Sequence, residues 1–194
     1  MSTTKLDIVL IGPYGSGKTT LAECLKRRLG WTHFSLDQEL HNYLKKLCNY
    51  SEVAEQLADP RSTPRSLQPH YAYMVERFFH DLDNRQENCV IDFGYNHSLY
   101  EDAMYFERIK RILDPYPNVF LLMPSPDEGE AVCTLLSNIK SKGTWLSDNE
   151  INEMNSHAVR LYAKHNLAKL TNYTKGKSPP ETCDELYQKV QLPT

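Results

Sequence analysis

Short apolar runs alternate with longer segments of helical periodicity along this chain. Strand-like runs recur at 7–11, 33–35, 89–93, 119–123 and 169–173, which predicts five β-strands. The segments between them carry the three- and four-residue spacing of helices. Strands that alternate with helices are typical of a parallel sheet covered by helices, so the predicted fold class is α/β.

The helical segments are marked by their spacing and by their starting residues. Apolar positions predict a long helix at 67–86, with one face formed by Leu67, Tyr71, Met74, Phe78 and Leu82. Helices near 126–139, 148–165 and 179–190 each follow a Ser that stands three residues before a Glu, the spacing of a capping box. These pairs are Ser125 with Glu128, Ser147 with Glu150, and Ser178 with Glu181.

Two stretches are predicted to be connections rather than elements. Residues 58–66 are rich in Pro and Ser, and residues 139–147 form a basic stretch broken by Gly143, which we expect to act as a short lid. A chain of 194 residues has room for one well-cored α/β domain, so we expect residues 1–194 to form a single domain.

The composition narrows the classes of partner. Lys and Arg number 22 against 25 Asp and Glu, a net charge of −3 that makes nucleic acid an unlikely ligand. The five cysteines are widely spaced and form no metal-site pattern, which predicts reduced thiols. The apolar run near the N-terminus is far shorter than the roughly 20 residues that span a bilayer. We therefore expect a cytoplasmic protein with no membrane partner, and the sequence leaves its oligomeric state open.

The most specific motif is the octet Gly12-Pro13-Tyr14-Gly15-Ser16-Gly17-Lys18-Thr19, which matches the P-loop spacing G-x-x-x-x-G-K-[ST]. It follows a predicted strand and precedes a predicted helix, the context in which backbone N–H groups converge on phosphates. Lys18 is expected to reach the β- and γ-phosphates, and the Thr19 hydroxyl to bind Mg²⁺. The residues from Gly12 to Thr19, together with Thr20, are therefore predicted to bind ATP.

Two carboxylates are candidates for the rest of the site. Asp92 ends an apolar strand and is predicted to help hold Mg²⁺, although a turn or helix cap before Gly94 is the alternative. Asp37 lies about 20 residues after the P-loop. It is a candidate base for an acceptor hydroxyl, or simply the N-cap of the helix that follows.

With these motifs in view, the chain resembles shikimate kinase and its relatives in the nucleoside-monophosphate-kinase-like group of P-loop enzymes. The P-loop, the segment from Phe34 to Leu40 and the segment from Val90 to Gly94 are similar to that group's motifs. The resemblance implies a three-layer P-loop fold with five parallel strands and a short lid. It also implies that Arg160 contacts substrate and that the loop with Lys175 and Lys177 contacts adenine.

Other side chains have a functional and a structural interpretation. Tyr95, Asn96 and His97 follow Gly94 where the resembled group binds its acceptor. A stripe of His70, Tyr73 and Arg77 could line an acceptor pocket or equally form a solvated helix face. Trp145 could close over a ligand or merely anchor the lid. Arg160 could equally form a surface ion pair.

The function predicted from the sequence is ATP-dependent phosphorylation of a small hydroxylated metabolite, with ATP and Mg²⁺ as cofactors. Lys18, Asp37, Asp92 and Arg160 are the predicted catalytic residues, and Lys140 and Lys142 are further candidates to offset phosphoryl charge. The alternatives are a regulatory ATPase or nucleotide switch that acts on a protein partner, and a nucleoside or polynucleotide-end kinase. No Asn-Lys-x-Asp motif for guanine recognition occurs in the sequence.

Overall fold

The apolar runs fold as the strands of one parallel sheet. The computed structural model describes residues 6–45, 64–83, 85 and 87–191. The described strands, numbered in chain order, are β1 Ile8–Ile11, β2 Thr32–Ser35, β3 Cys89–Asp92, β4 Asn118–Met123 and β5 Leu170–Tyr173. Each lies within one residue of the predicted run at both ends. Their spatial order is β2-β3-β1-β4-β5, and every neighbouring pair is parallel.

Seven α-helices lie in the described part of the chain. They are α1 Lys18–Leu29, α2 Leu36–Lys45, α3 Pro64–Leu82, α4 Ala103–Leu113, α5 Glu128–Lys142, α6 Asp148–Lys164 and α7 Pro179–Lys189. A 3₁₀ turn at Tyr95–His97 follows β3.

Helix α4 was not predicted, although a parallel crossover between β3 and β4 requires a connection of this kind. The Asp102 side chain accepts the Met104 N–H as its N-cap, and Ile109 and Leu113 are buried.

Alternate residues of the central strands face opposite layers of helices. Ile8 and Leu10 pack with α1 and α7, whereas Val9 and Ile11 pack with the helices on the other face of the sheet. Because strand side chains alternate with a period of two, a buried run such as β1 supplies both cores at once. The predicted three-layer α/β class, with helices on both faces of a five-stranded parallel sheet, is confirmed.

Two of the three predicted capping boxes are confirmed and one is wrong. Ser147 with Glu150 and Ser178 with Glu181 form reciprocal boxes at the starts of α6 and α7. At the start of α5 the N-cap is Asp127, whose carboxylate accepts the Glu130 N–H, and Ser125 instead accepts the Asp127 N–H. An acidic residue at this position serves as well as serine, because any short side-chain oxygen can satisfy the first free N–H groups.

Some predictions fall partly outside the described residues. Residues 58–63 of the predicted connection and Cys48 lie outside them, and so do residues 84 and 86 of the predicted helix at 67–86. No disulfide joins the cysteines of the described residues, which are Cys24, Cys89, Cys133 and Cys183. Residues 139–142 of the predicted lid form the last turn of α5, and the link to α6 occupies 143–147. No helix among the described residues is both long and apolar enough to cross a bilayer.

Candidate active site

The loop between β1 and α1 has a backbone path that glycine makes possible. Gly12 has φ of +152°, and a β-carbon there would lie 2.5 Å from the carbonyl oxygen of Leu122 in β4. Gly15 has φ of +83°, and its β-carbon would lie 2.7 Å from Ile139 Cγ1 in α5. These glycines let the loop curl beside the N-terminus of α1, where unsatisfied N–H groups favour an anion.

Lys18 is the first residue of α1 and lies inside the curl of this loop. Its side chain is buried, and Nζ donates hydrogen bonds to the carbonyl oxygens of Gly12 at 2.9 Å and Pro13 at 3.1 Å. Burial lowers the pKa of Lys18, while the nearby carboxylates of Asp92 and Asp37 act to raise it. The ammonium group therefore lies between the loop, whose carbonyl oxygens it contacts, and two acidic side chains.

Asp92 is the last residue of β3 and is 2% exposed. Its backbone lies in register with Leu10 of β1 and Ser35 of β2, which places the side chain at the carboxyl edge of the sheet. Oδ2 is buried without a hydrogen-bond partner in the described structure. Gly94 rather than Asp92 occupies the cap position of the 3₁₀ turn, so the geometry does not support the capping alternative.

His33 in β2 stands behind Asp92 and was not recognised from the sequence. Its Nε2 lies 3.5 Å from Asp92 Oδ2, and its Nδ1 lies 2.7 Å from Glu23 Oε1 in α1. The interaction with Asp92 raises the pKa of His33, with a smaller contribution from Glu23 and an opposing effect of burial. The strand Thr32–Ser35 is mostly polar, so nothing in the sequence set His33 apart from its neighbours.

Asp37 lies in the first turn of α2, one residue after the helix begins at Leu36, so it is not the N-cap. Its side chain is 67% exposed, and Oδ1 lies 3.5 Å from His97 Nδ1. Partial removal from water raises the pKa of Asp37, the Lys18 ammonium opposes that rise, and repulsion from Asp92 adds to it. A carboxylate of raised pKa beside a lysine ammonium is a suitable acceptor for a hydroxyl proton.

The loop after β3 supplies three further side chains. Tyr95 donates a hydrogen bond to the carbonyl oxygen of Met154 at 2.9 Å, and Asn96 Nδ2 donates to the Tyr71 hydroxyl at 3.2 Å. His97 is buried against Tyr71, with ring centroids 5.0 Å apart.

The face of α3 that meets this loop is thus the one bearing Tyr71, not the predicted stripe of His70, Tyr73 and Arg77. Tyr73 is exposed, and Arg77 pairs with Asp81 at 3.2 Å. Tyr71 was counted among the apolar positions of this helix, and the sequence carried no sign that its hydroxyl reaches Asn96.

Two cavities open on either side of the P-loop. The first, of about 400 Å³, lies between the P-loop and the start of α7. Its lining consists of polar and small residues from the P-loop, α1, α5, α7 and the loop after β5: Gly15, Ser16, Gly17, Thr20, Leu21, Thr134, Asn138, Ser141, Lys142, Thr174, Lys175, Gly176, Lys177, Pro179 and Thr182. Asn138 closes one side of this cavity by donating to the Gly15 carbonyl oxygen at 3.1 Å.

The second cavity, of about 460 Å³, contains the acidic side chains. It is lined by residues of the P-loop, the carboxyl edge of the sheet and the lid: Tyr14, Gly15, Gly17, Lys18, Thr19, Asp37, Asp92, Tyr95, Asn96, Ile139, Lys142, Gly143, Thr144, Trp145, Leu146 and Met154. Gly15, Gly17 and Lys142 line both cavities. The P-loop therefore forms a shared wall, with Lys18, Asp37 and Asp92 on one side of it.

The two lysines of the predicted lid differ in position. Lys142 lines both cavities, whereas Lys140 lines neither and pairs with Asp148 at 2.8 Å. Trp145 is 89% exposed at the rim of the second cavity.

The other positively charged side chains that were predicted to contact substrate or adenine form ion pairs with acidic residues. Arg160 on α6 binds Glu128 with Nε 2.6 Å from Oε1, and it lines neither cavity. Lys175 pairs with Glu130, and Lys177 pairs with Glu185 at 2.7 Å, both at the first cavity. Of the residues predicted to bind ATP or to be catalytic, all line one or both cavities except Arg160, Gly12 and Pro13. The carbonyl oxygens of Gly12 and Pro13 instead accept hydrogen bonds from Lys18.

The buried polar atoms of this region fit a triphosphate with Mg²⁺. Ser16 Oγ in the P-loop and Asp92 Oδ2 are both buried without a hydrogen-bond partner among the described residues, and buried atoms of this kind are uncommon in folded proteins. Thr19 and Asp92 line the same cavity, and hydroxyl and carboxylate oxygens are the ligands that Mg²⁺ prefers.

Residues 8–105 match the family model described as AAA domain. That segment runs from β1 through the P-loop, Asp37 and Asp92 to the start of α4. No curated protein sequence matches the chain significantly.

Solved structures with the same fold include shikimate kinases. The enzyme from Acinetobacter baumannii, solved with shikimate, is 16% identical, with a TM-score of 0.65, and the match covers 96% of this chain and 93% of that one. The enzyme from Bacteroides thetaiotaomicron is 18% identical, with a TM-score of 0.66 and coverage of 96% and 98%. A gluconokinase from Sinorhizobium meliloti is 14% identical, with a TM-score of 0.54 and coverage of 95% and 93%. At these identities the likeness establishes the shared fold, and the resemblance noted from the motifs is confirmed at that level.

Proposed function

Because the chain belongs to the AAA domain family of P-loop proteins, we propose that it is an ATP-dependent kinase that phosphorylates a small hydroxylated metabolite. The observation that carries this proposal is the arrangement of two cavities about the P-loop. Lys18, Asp37 and Asp92 all lie on the side away from the first cavity. A phosphoryl group held by the loop would thus face a second compartment large enough for a small acceptor.

The first cavity is the proposed site of the nucleoside part of ATP. Its lining by Thr134, Ser141 and Thr174 offers hydroxyl groups, and Lys175 and Lys177 lie at its rim. The triphosphate would extend from there along the P-loop, where Lys18 Nζ would exchange its carbonyl contacts for phosphate oxygens. The aligned N–H groups at the start of α1 would stabilise the same negative charge.

Thr19 and Asp92 are the residues proposed to hold Mg²⁺, Asp92 either directly or through water. The ion, when bound, would neutralise charge on the phosphates. His33 supports Asp92 from behind, since its ring contacts both Asp92 and Glu23 and so restricts the direction of the carboxylate.

Asp37 is the proposed base. In the transfer, the acceptor oxygen would form a new bond to the γ-phosphorus as the bond from phosphorus to the bridging oxygen of ADP breaks. The hydroxyl proton would pass to the Asp37 carboxylate, which lines the acceptor cavity and whose raised pKa favours proton uptake. Lys18 and Lys142 would offset charge on the transferring group, because both border that cavity. Arg160 stays a candidate only if its pair with Glu128 opens.

The second cavity supports a small acceptor. Tyr14, Tyr95 and Trp145 provide flat faces, and Asn96 provides an amide for hydroxyl recognition. The fold's solved relatives include kinases named for shikimate and for gluconate, both hydroxylated metabolites. These two compounds belong in the first acceptor panel, together with uncharged sugars and nucleosides.

The decisive experiment follows ADP release from MgATP with and without each acceptor, and compares the protein with its Lys18→Ala variant. Acceptor-dependent ADP release that the variant lacks supports the kinase. ADP release that no acceptor stimulates favours a regulatory ATPase instead. Labelled phosphate transferred to an oligonucleotide would favour an end kinase. Calorimetric titration with MgATP that registers no binding would remove the proposal altogether.

A further inference from the structure

His97 has an unusual environment for a histidine. It ends the 3₁₀ turn after β3, and its side chain is 1% exposed. Neither ring nitrogen has a hydrogen-bond partner among the described residues. A buried polar side chain without a partner costs stability, so its retention in a core position calls for a physical explanation.

A carboxylate oxygen of Asp37, outside the turn of His97, faces its ring. His97 Nδ1 lies 3.5 Å from Asp37 Oδ1, slightly beyond a hydrogen bond. Both groups crowd against Gly94, where a β-carbon would overlap the Asp37 carboxylate and lie 2.5 Å from His97 Nδ1. Tyr71 covers the His97 ring edge-on at an interplanar angle of 80°. The imidazole is thus held between Tyr71 and the carboxylate with little freedom to turn away.

We propose that His97 is a positioning residue for Asp37: its neutral ring, protonated on Nδ1, donates to Oδ1 and directs the free Oδ2 toward the acceptor hydroxyl. The contact would shorten to a full hydrogen bond when an acceptor enters, as contacts in ligand-free sites commonly do. The role of Asp37 as base rests on the proposed function, but the pairing of His97 with Asp37 does not.

The charges around the ring favour the neutral form that this role requires. Burial lowers the pKa of His97 to about 3, and the positive charge of Lys18 adds to the shift. Asp37 and Asp92 are the acidic groups of the same region, and both also face Lys18. An imidazolium would pair strongly with Asp37 and weaken it as a base, whereas a neutral N–H donor orients the carboxylate and leaves it able to accept a proton.

The tautomer of His97 gives a direct test that needs no substrate. In the ¹⁵N-labelled protein at neutral pH, with the ring assigned by the loss of its signals in His97→Asn, we expect the chemical shifts of a neutral ring protonated on Nδ1. A ring protonated on Nε2, or one that titrates near pH 6.5, would overturn the proposal.

The Asp37 carboxyl gives a second test. Three substitutions of His97 separate the two ring nitrogens. His97→Asn puts an amide N–H near the position of Nδ1, His97→Gln puts one near the position of Nε2, and His97→Leu removes the donor. We expect the Asp37 pKa, followed by carboxyl ¹³C shifts, to rise by about 0.5 to 1 unit in His97→Leu and His97→Gln, because a donor to the charged form is lost. In His97→Asn it should stay near the wild-type value. Equal values in all three variants would contradict the proposal. The matched control is His157→Leu, which removes a half-exposed histidine that pairs with Glu101 at 3.1 Å.

Turnover gives the third test, with MgATP and water as the probe acceptor. We expect kcat for ADP release to fall about tenfold or more in His97→Leu and to recover in His97→Asn, while KM for ATP stays unchanged. A rise in KM without a change in kcat would overturn the positioning role. Should the protein release no ADP either with water or with any acceptor of the panel, the proposed function would fail, and the tautomer and pKa tests would still decide the pairing. If His97→Leu does not fold, His97→Gln replaces it in this test, because the Gln side chain is polar but lacks a donor near the position of Nδ1.

Discussion

Gly94 lies so close to Asp37 that a β-carbon on Gly94 would overlap the Asp37 carboxylate. The backbone of Gly94 has φ of −61°, which any residue adopts, so the requirement for glycine here is one of space. The loop after β3 and the first turn of α2 therefore meet with no room for a side chain between them.

Gly94→Ala should displace Asp37 and suppress phosphoryl transfer by about tenfold or more, because a general base must keep its reach to the hydroxyl. The Kd for MgATP should stay unchanged, since the P-loop is untouched. Overpacking should also lower the free energy of unfolding by about 1–3 kcal/mol. Gly129→Ala is the matched control, because its β-carbon would meet nothing nearer than Asp127 Oδ1 at 3.5 Å. Full turnover in Gly94→Ala would show that the position of Asp37 is unimportant.

Lys18→Ala should lower ATP turnover by at least about 100-fold, since it removes the cation proposed to bind the phosphates. Calorimetry should also show weaker binding of MgATP. Lys26→Ala on the same helix is the control, because Lys26 is half-exposed and pairs only loosely with Glu23 at 3.6 Å. Comparable turnover in the two variants would disprove the role assigned to Lys18.

Asp37→Asn should leave nucleotide affinity nearly intact and lower the rate of transfer by about 10² to 10⁴, because the amide cannot take the hydroxyl proton. Calorimetry with MgATP and a single-turnover measurement of ADP formation separate the two effects. An unchanged single-turnover rate would remove Asp37 from the mechanism.

Lys142 and Lys140 should respond differently to the same substitution. Lys142→Ala should slow ADP release by about tenfold, because this ammonium borders both cavities. Lys140→Ala should have little effect, because Lys140 pairs with Asp148 on the exposed surface. The same loss in both variants would indicate that the lid acts as a whole and not through one charge.

Acid should destabilise the protein partly through His97. Its pKa is lowered from 6.5 to about 3 in the folded chain, so the unfolded chain binds more protons between these values. The stabilisation is fully present above pH 6.5 and is lost as the pH falls toward 3. Between pH 7 and pH 5 the loss should be about 2 kcal/mol. Denaturant unfolding at both pH values should show a smaller loss in His97→Asn than in the wild type, and equal losses would contradict a buried neutral His97.

The sequence by itself determined the features that depend on residues close together along the chain. The P-loop could be recognised because its function resides in backbone N–H groups and glycine conformations within eight consecutive residues. The central strands β1, β3 and β4 could be placed within a residue because buried parallel strands consist of nearly continuous apolar runs. Asp92 could be singled out because it ends such a run, and parallel strands end at the edge where ligands bind.

Only the tertiary structure decided which distant side chains meet. Whether residue 37 touches residues 94 and 97 depends on the order of β2, β3 and β1 and on the direction in which α2 leaves the sheet. For the same reason His33 and Tyr71 were missed, and Arg160 of α6 was associated with the site although it pairs with Glu128 at the start of α5. Periodicity assigns a residue to a face of its own element, whereas the partner across the interface is set by packing between elements far apart in the chain.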